Sequence, residues 1–164
     1  MGEGTVSAME VDGLALPRLP PVAHPWVDSS LSPLFQTNWP QESPEEDISQ
    51  YMAALQPWSE HLTSPWGTTI DMSAFNARSS TAGQRKLFVQ LGIPMLPQFQ
   101  LHCVGLAVIA PSALARGVVT AVLWLVDPPI PVRTFADAEA GRRWIFEELQ
   151  AASQQRAAGF GLQP

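Results

Sequence analysis

Residues 104–135, VGLAVIAPSALARGVVTAVLWLVDPPIPVRTF, constrain the fold more than any other part of the chain. Residues 104–110 form a short apolar run with several β-branched side chains that stops at Pro111, which favours a strand buried on both faces over a helix. Ser112 comes next, and its hydroxyl can accept a hydrogen bond from a free N–H in the first turn of a helix. Ala113–Val126 then stays almost wholly apolar until Asp127-Pro128-Pro129 stops it. Residues 131–135 resume strand character. Strand, helix and strand in this order make a βαβ unit with a right-handed connection.

The remainder extends that unit in both directions. Residues 26–39 have room for two short strands, with a turn at Ser29-Ser30 or Ser32-Pro33, and the loose alternation from Leu34 to Trp39 marks the second. Ser43-Pro44-Glu45-Glu46-Asp47 reads as a helix start. Ser43 is placed to cap, Pro44 stands at the first helical position, and Ser43 with Glu46 has the capping-box spacing. Ile48, Tyr51, Met52, Leu55, Trp58 and Leu62 recur at helical spacing, and Pro57 predicts a kink or an early end. Residues 66–72 read as a third strand, followed by a polar loop and a helix that begins near Ser79-Ser80-Thr81-Ala82. Pro94 and Pro97 break that run, with one more turn over residues 95–101. Residues 136–152 form a last amphipathic helix, capped by Asp137 or Thr134. The order ββαβαβαβα predicts an α/β fold: a mostly parallel sheet of about five strands with about four flanking helices.

No period of 2 or 3.6 is sustained over residues 1–25, which read as a flexible tail rich in Pro and Gly; residues 26–152 form the domain, and residues 153–164 fray. The chain is 46% hydrophobic, too apolar for intrinsic disorder. Its formal charge of −6 argues against nucleic acid and against docking on an anionic membrane. Cys103 stands alone, so no internal disulfide forms, and no Cys/His spacing suits zinc. No apolar run reaches the roughly 20 residues of a membrane span, and the first residues lack a signal-peptide pattern. The expectation is a cytoplasmic protein without metal, cofactor or stable membrane insertion.

Three stretches resemble the SpoIIAA-like, or STAS/SEC14-like, group of small bacterial domains. They are the strand ending in Ile70-Asp71-Met72-Ser73, the segment from Gly105 to Gly117, and the closing run from Val132 to Ala140 with Trp144. Such domains commonly follow the closing strand with F-x-(D/S)-x-x-x-A-x-x-W, which Phe135 to Trp144 matches apart from Gly141. The resemblance covers about residues 26–150 and implies a SpoIIAA-like fold. Its members include phosphorylation-switched antagonists of anti-sigma factors, in which a strand ending in Asp leads to a phosphorylated Ser at a helix N-terminus, and domains named for lipid-binding resemblance. The comparable place here holds Arg78-Ser79-Ser80-Thr81, without the group's Asp-Ser-(Ser/Thr)-Gly tetrad.

The candidate binding or regulatory residues are accordingly Asp71, Ser73, Arg78, Ser79, Ser80, Thr81 and Arg116. A phosphate at the helix N-terminus would meet free N–H groups, with Arg78 or Arg85 nearby. Arg116, the single charge in an apolar helix, needs an anion, a carboxylate such as Asp71, or a route to water. The same helix is apolar nearly all round, so Leu114, Val118, Val119, Val122 and Leu125 form a candidate interface, for a second copy or another protein. No GxSxG elbow or glycine-rich phosphate loop is present, and His102 and Cys103 at a strand start would face opposite ways, so no catalysis is expected. The leading expectation is a non-catalytic interaction module acting through the 71–81 loop and the 113–126 helix, with phosphorylation at Ser79 or Ser80 as a conditional extra. Two alternatives stand beside it. One is a small apolar-ligand or lipid-binding domain with Trp58, Trp66, Trp124 and Trp144 around a pocket. The other is an accessory subunit docking through its N-terminal tail.

Overall fold

A computed structural model describes residues 8–11 and 14–160. Two short strands, β1 (Ala8–Val11) and β2 (Leu14–Pro17), pair antiparallel in a small sheet of their own. The main sheet has five strands in the order β3 (Val27–Asp28), β4 (Leu34–Asn38), β5 (Trp66–Asp71), β6 (Cys103–Ile109) and β7 (Val132–Phe135). β3 runs antiparallel to β4, and the other three pairings are parallel. The helices are α1 (Glu45–Glu60), α2 (Ala82–Gly92), the short α3 (Leu96–His102) behind a single 3-10 turn, α4 (Ala113–Val126) and α5 (Ala138–Phe160). The mostly parallel five-stranded sheet is present as predicted, and from β3 onward the predicted order holds with α3 added before β6.

Each parallel strand pairs with its successor in the chain, so right-handed crossovers carry α1, α2 and α4 onto the same face. α5 follows the last strand and folds back across the opposite face. The central βαβ unit forms as its sequence predicts. Ser112 Oγ accepts the Ala115 N–H at 3.0 Å, and Asp127 closes α4 in the left-handed conformation at φ 43°. In α5 the Asp137 carboxylate accepts the Ala140 N–H at 2.8 Å.

Four expectations need correction. Ser43 does not cap α1: Pro44 is the cap residue, and the Ser43 hydroxyl is buried and accepts the Trp39 indole N–H at 3.2 Å. Pro57 does not end α1, which runs three residues past it to Glu60, because one turn from the C-terminus little of the helical ladder remains to be lost. The tail over residues 1–25 is fastened down over its last part, while residues 1–7 and 12–13 lie outside the described residues. There Leu16 is only 1% exposed, the Leu19 N–H donates to Ser32 Oγ at 2.8 Å, and the Trp58 indole donates to the Pro20 carbonyl at 2.8 Å. Finally, α5 continues unbroken to Phe160, where fraying was expected from residue 153.

Candidate functional site

The strands turn alternate residues to the two faces of the sheet, and the two faces are buried differently. Thr69 is 3% exposed, whereas Thr68 and Ile70 beside it are only half-buried, although all three sit in the middle of the sheet. Leu106 in the adjoining strand is also half-buried. Half-burial at the centre of a covered sheet means that the cover does not reach the floor. A cavity of about 200 Å³ fills the gap, floored by β4–β6 and roofed by α1, α2, α3 and α4.

Aromatic side chains hold the roof away. Toward the C-terminal ends of the strands, Trp39 meets Tyr51 and Phe88 edge-on, with ring centroids 5.7 and 5.5 Å apart. Toward the N-terminal ends, Phe35, Trp58, Trp66 and Phe99 make a chain of edge-to-face contacts at 4.5, 5.1 and 4.9 Å. Rings in such T-shaped pairs keep their bulk fixed, so they act as props as well as filling. α4 completes the roof with Val118, Val122, Leu123 and Val126.

The lining is almost entirely apolar, and its polar groups are largely spent on each other. The Thr37 and Tyr51 hydroxyls share a hydrogen bond at 3.0 Å, and burial pushes the Tyr51 phenol up to about 12. Burial likewise raises the Cys103 thiol, in the cluster below, to about 12, so both groups stay protonated and inert at neutral pH. Apart from Thr68 on the floor, the remaining polar lining gathers at the end of the cavity beyond the C-terminal ends of the strands. There Gln84 donates to the Ser43 carbonyl at 3.0 Å, and Arg85 donates through Nη1 to the Ser80 carbonyl and hydroxyl at 3.0 and 3.3 Å. Arg85 is the one charged side chain among the described residues that line the cavity.

The structure scatters the residues singled out from the sequence. Of the loop set, Ser80 alone reaches the cavity wall. Asp71 accepts the Ser73 N–H at 2.8 Å, the Ser79 hydroxyl donates to the Asn76 carbonyl at 2.9 Å, and Arg78 is exposed. The hydroxyl that caps α2 belongs to Thr81, which forms a reciprocal box with Gln84, so a phosphate at that N-terminus would have to displace it. Arg116 is not paired with Asp71: its Nη1 donates to the Ala110 and Pro111 carbonyls at 3.1 and 3.0 Å. The five-residue interface on α4 is also corrected. Val118, Val119 and Val122 turn inward, and Leu114 and Leu125 turn outward, so no single surface can present all five.

Of the four tryptophans placed around a pocket, Trp58 and Trp66 line it. Trp124 is 86% exposed and Trp144 packs on the opposite face. His102 ends α3 instead of opening a strand, and its Nδ1 lies 3.4 Å from Arg156. Reasoning from the sequence passed over Phe35, Thr37 and Trp39 as lining, although a signal was present. In β5 the large Trp66 and Ile70 fall on one face with Gly67 on the other, which Gly105 and Ala107 of β6 share, and Phe35, Thr37 and Trp39 follow at the same spacing of two.

Among the described residues no helix is long and apolar enough to cross a membrane, and no three His, Cys, Asp or Glu side chains group as metal ligands would. No family model matches the chain, and neither a curated protein nor a solved structure matches it.

Proposed function

We propose that this domain binds a small, mainly apolar molecule between its sheet and its α1–α4 layer, without transforming it. The observation that carries this reading is the aromatic-walled cavity of about 200 Å³ over an incompletely covered sheet. An apolar void of that size forfeits packing contacts all around its lining, and a ligand that fills it restores them. The phenol and thiol nearest to it are held neutral by burial, so neither is primed as a nucleophile. Octan-1-ol, a neutral probe, tests the reading through the midpoint of thermal unfolding. It should raise the midpoint of the native protein by several degrees at saturation. In Val122→Phe, where a ring occupies the void, it should have no effect. Equal responses, or none in either protein, overturn the reading.

A second reading, docking on another protein, rests on the outer face of α4. Trp124 is 86% exposed there, with Leu125 and Leu114 at 62% and 51%. Single exposed apolar residues are commonplace, but three on one helix mark a surface that a partner, including a second copy, would cover. Light scattering on the native protein and on Trp124→Asp separates the cases. A dimer that the substitution dissociates supports self-association, and a monomer in both removes it.

A further inference from the structure

We infer that the ligand is a monocarboxylic acid: a compact apolar body in the cavity with its carboxylate on Arg85 at the polar end. This rests on the reading of the cavity as a ligand site and gives that ligand a charge and an orientation.

A guanidinium on the wall of an apolar cavity is expensive unless an anion or enough acceptors satisfy it. Arg85 is half-buried and has no carboxylate partner among the described residues. Its hydrogen bonds, both through Nη1, go to Ser80, which leaves Nη2 and Nε without an acceptor among the described residues. Two adjacent N–H edges on a planar fork match the two oxygens of a carboxylate. No acidic residue lines the cavity among the described residues, so a cationic ligand would meet Arg85 with nothing to offset the repulsion.

The cavity is polarised along its length. Ser43, Ser80, Gln84 and Arg85 cluster at one end, beyond the C-terminal ends of the parallel strands, where ligands of such sheets usually sit. The other end, around Trp58, Trp66, Val126 and Ile130, is apolar throughout. A molecule that satisfies both ends has one head and one tail. Size bounds the tail: a void near 150 Å³ admits benzene, so about 200 Å³ suits an apolar body of roughly six to eight carbons.

Calorimetric titration with octanoate, octan-1-ol and octylammonium at neutral pH and constant ionic strength tests the assignment on the native protein. Octanoate should bind at least about tenfold more tightly than octan-1-ol, the worth of one charge-assisted hydrogen-bonded pair, and octylammonium should bind worst. In Arg85→Gln the preference for octanoate over octan-1-ol should vanish while octan-1-ol affinity holds, which also reports that the variant is folded. If octan-1-ol binds as well as octanoate to the native protein, the carboxylate assignment is overturned and the apolar site stands. If none of the three binds, both readings fall.

Discussion

The two faces of the central sheet are made from the same strands, yet one is sealed and the other is hollow. On the sealed face glycines let α5 lie directly on the backbone. A methyl group on Gly67 would come within 2.3 Å of Ile145 Cγ2, one on Gly105 within 2.7 Å of the Trp144 ring, and one on Gly141 within 3.1 Å of Ile109 Cδ1. On the hollow face the same strands present Phe35, Trp66, Ile70 and Leu106, and the helices above stand off on rings. The bulge in β6 contributes to this division: Trp66 pairs with Cys103 and Thr68 with Leu106, so Val104 and Gly105 together oppose Gly67. Closeness therefore follows residue size on each face, and stability and binding are assigned to different sides of one sheet.

If the division is right, the largest mutational effects lie under α5. Ile145→Ala and Leu149→Ala, both fully buried, should each cost about 2–5 kcal/mol in urea unfolding. Val122→Ala over the cavity should cost less than about 1.5 kcal/mol, because its site is already loosely packed. Similar losses on the two faces would show that both are packed alike. Next come the glycines. Gly105→Ala should destabilise by about 1–3 kcal/mol through overpacking against Trp144. Gly117→Ala in α4, where nothing lies within 4 Å, should stabilise by about 0.5–1 kcal/mol. Opposite signs for two Gly→Ala changes would sharpen the contrast.

A smaller effect appears in alkali. Tyr51 and Cys103 both titrate higher in the folded chain than their ordinary values of 10.0 and 9.0, near 12 in each case. The folded state thus holds these protons more tightly, so the stability that these two groups contribute is complete below about pH 9 and is lost as pH rises from there toward 12. Urea midpoints at pH 8 and pH 11 should show the drop, and Tyr51→Phe should remove the part that begins near pH 10. Smallest of all, Arg133→Ala should cost about 0.5 kcal/mol, since the guanidinium stacks on the Trp144 ring at 4.9 Å but is itself exposed.

Most of the architecture was legible where local signals are self-sufficient. The Ser112 cap, the Asp127 stop and the alternation of strands with helices needed no tertiary information. Ser43 misled because its hydroxyl serves the Trp39 indole, a contact no local pattern announces. The strap over residues 16–25 escaped for the same reason: it has no period of its own and is held by Ser29, Ser32 and Trp58. The site was legible only in part. Ser80 and the inner stripe of α4 were noticed, but as parts of an outer surface, because a helix apolar all round does not disclose which side faces a void.

The placement of α5 also orders events in time. Synthesis delivers β3 through β7 in the sequence in which they pair, so each strand can join a neighbour that has already emerged. The ring-lined side can be roofed by α1, α2 and α4 as the chain lengthens. The glycine-floored side gains only Leu16 and Leu31 from the preceding chain and waits for α5, after the last strand, for the rest of its cover. A nascent chain halted before residue 138 would leave Leu34, Ala107 and Ile109 without the helix that covers them, so the window of greatest vulnerability to aggregation comes just before α5 emerges.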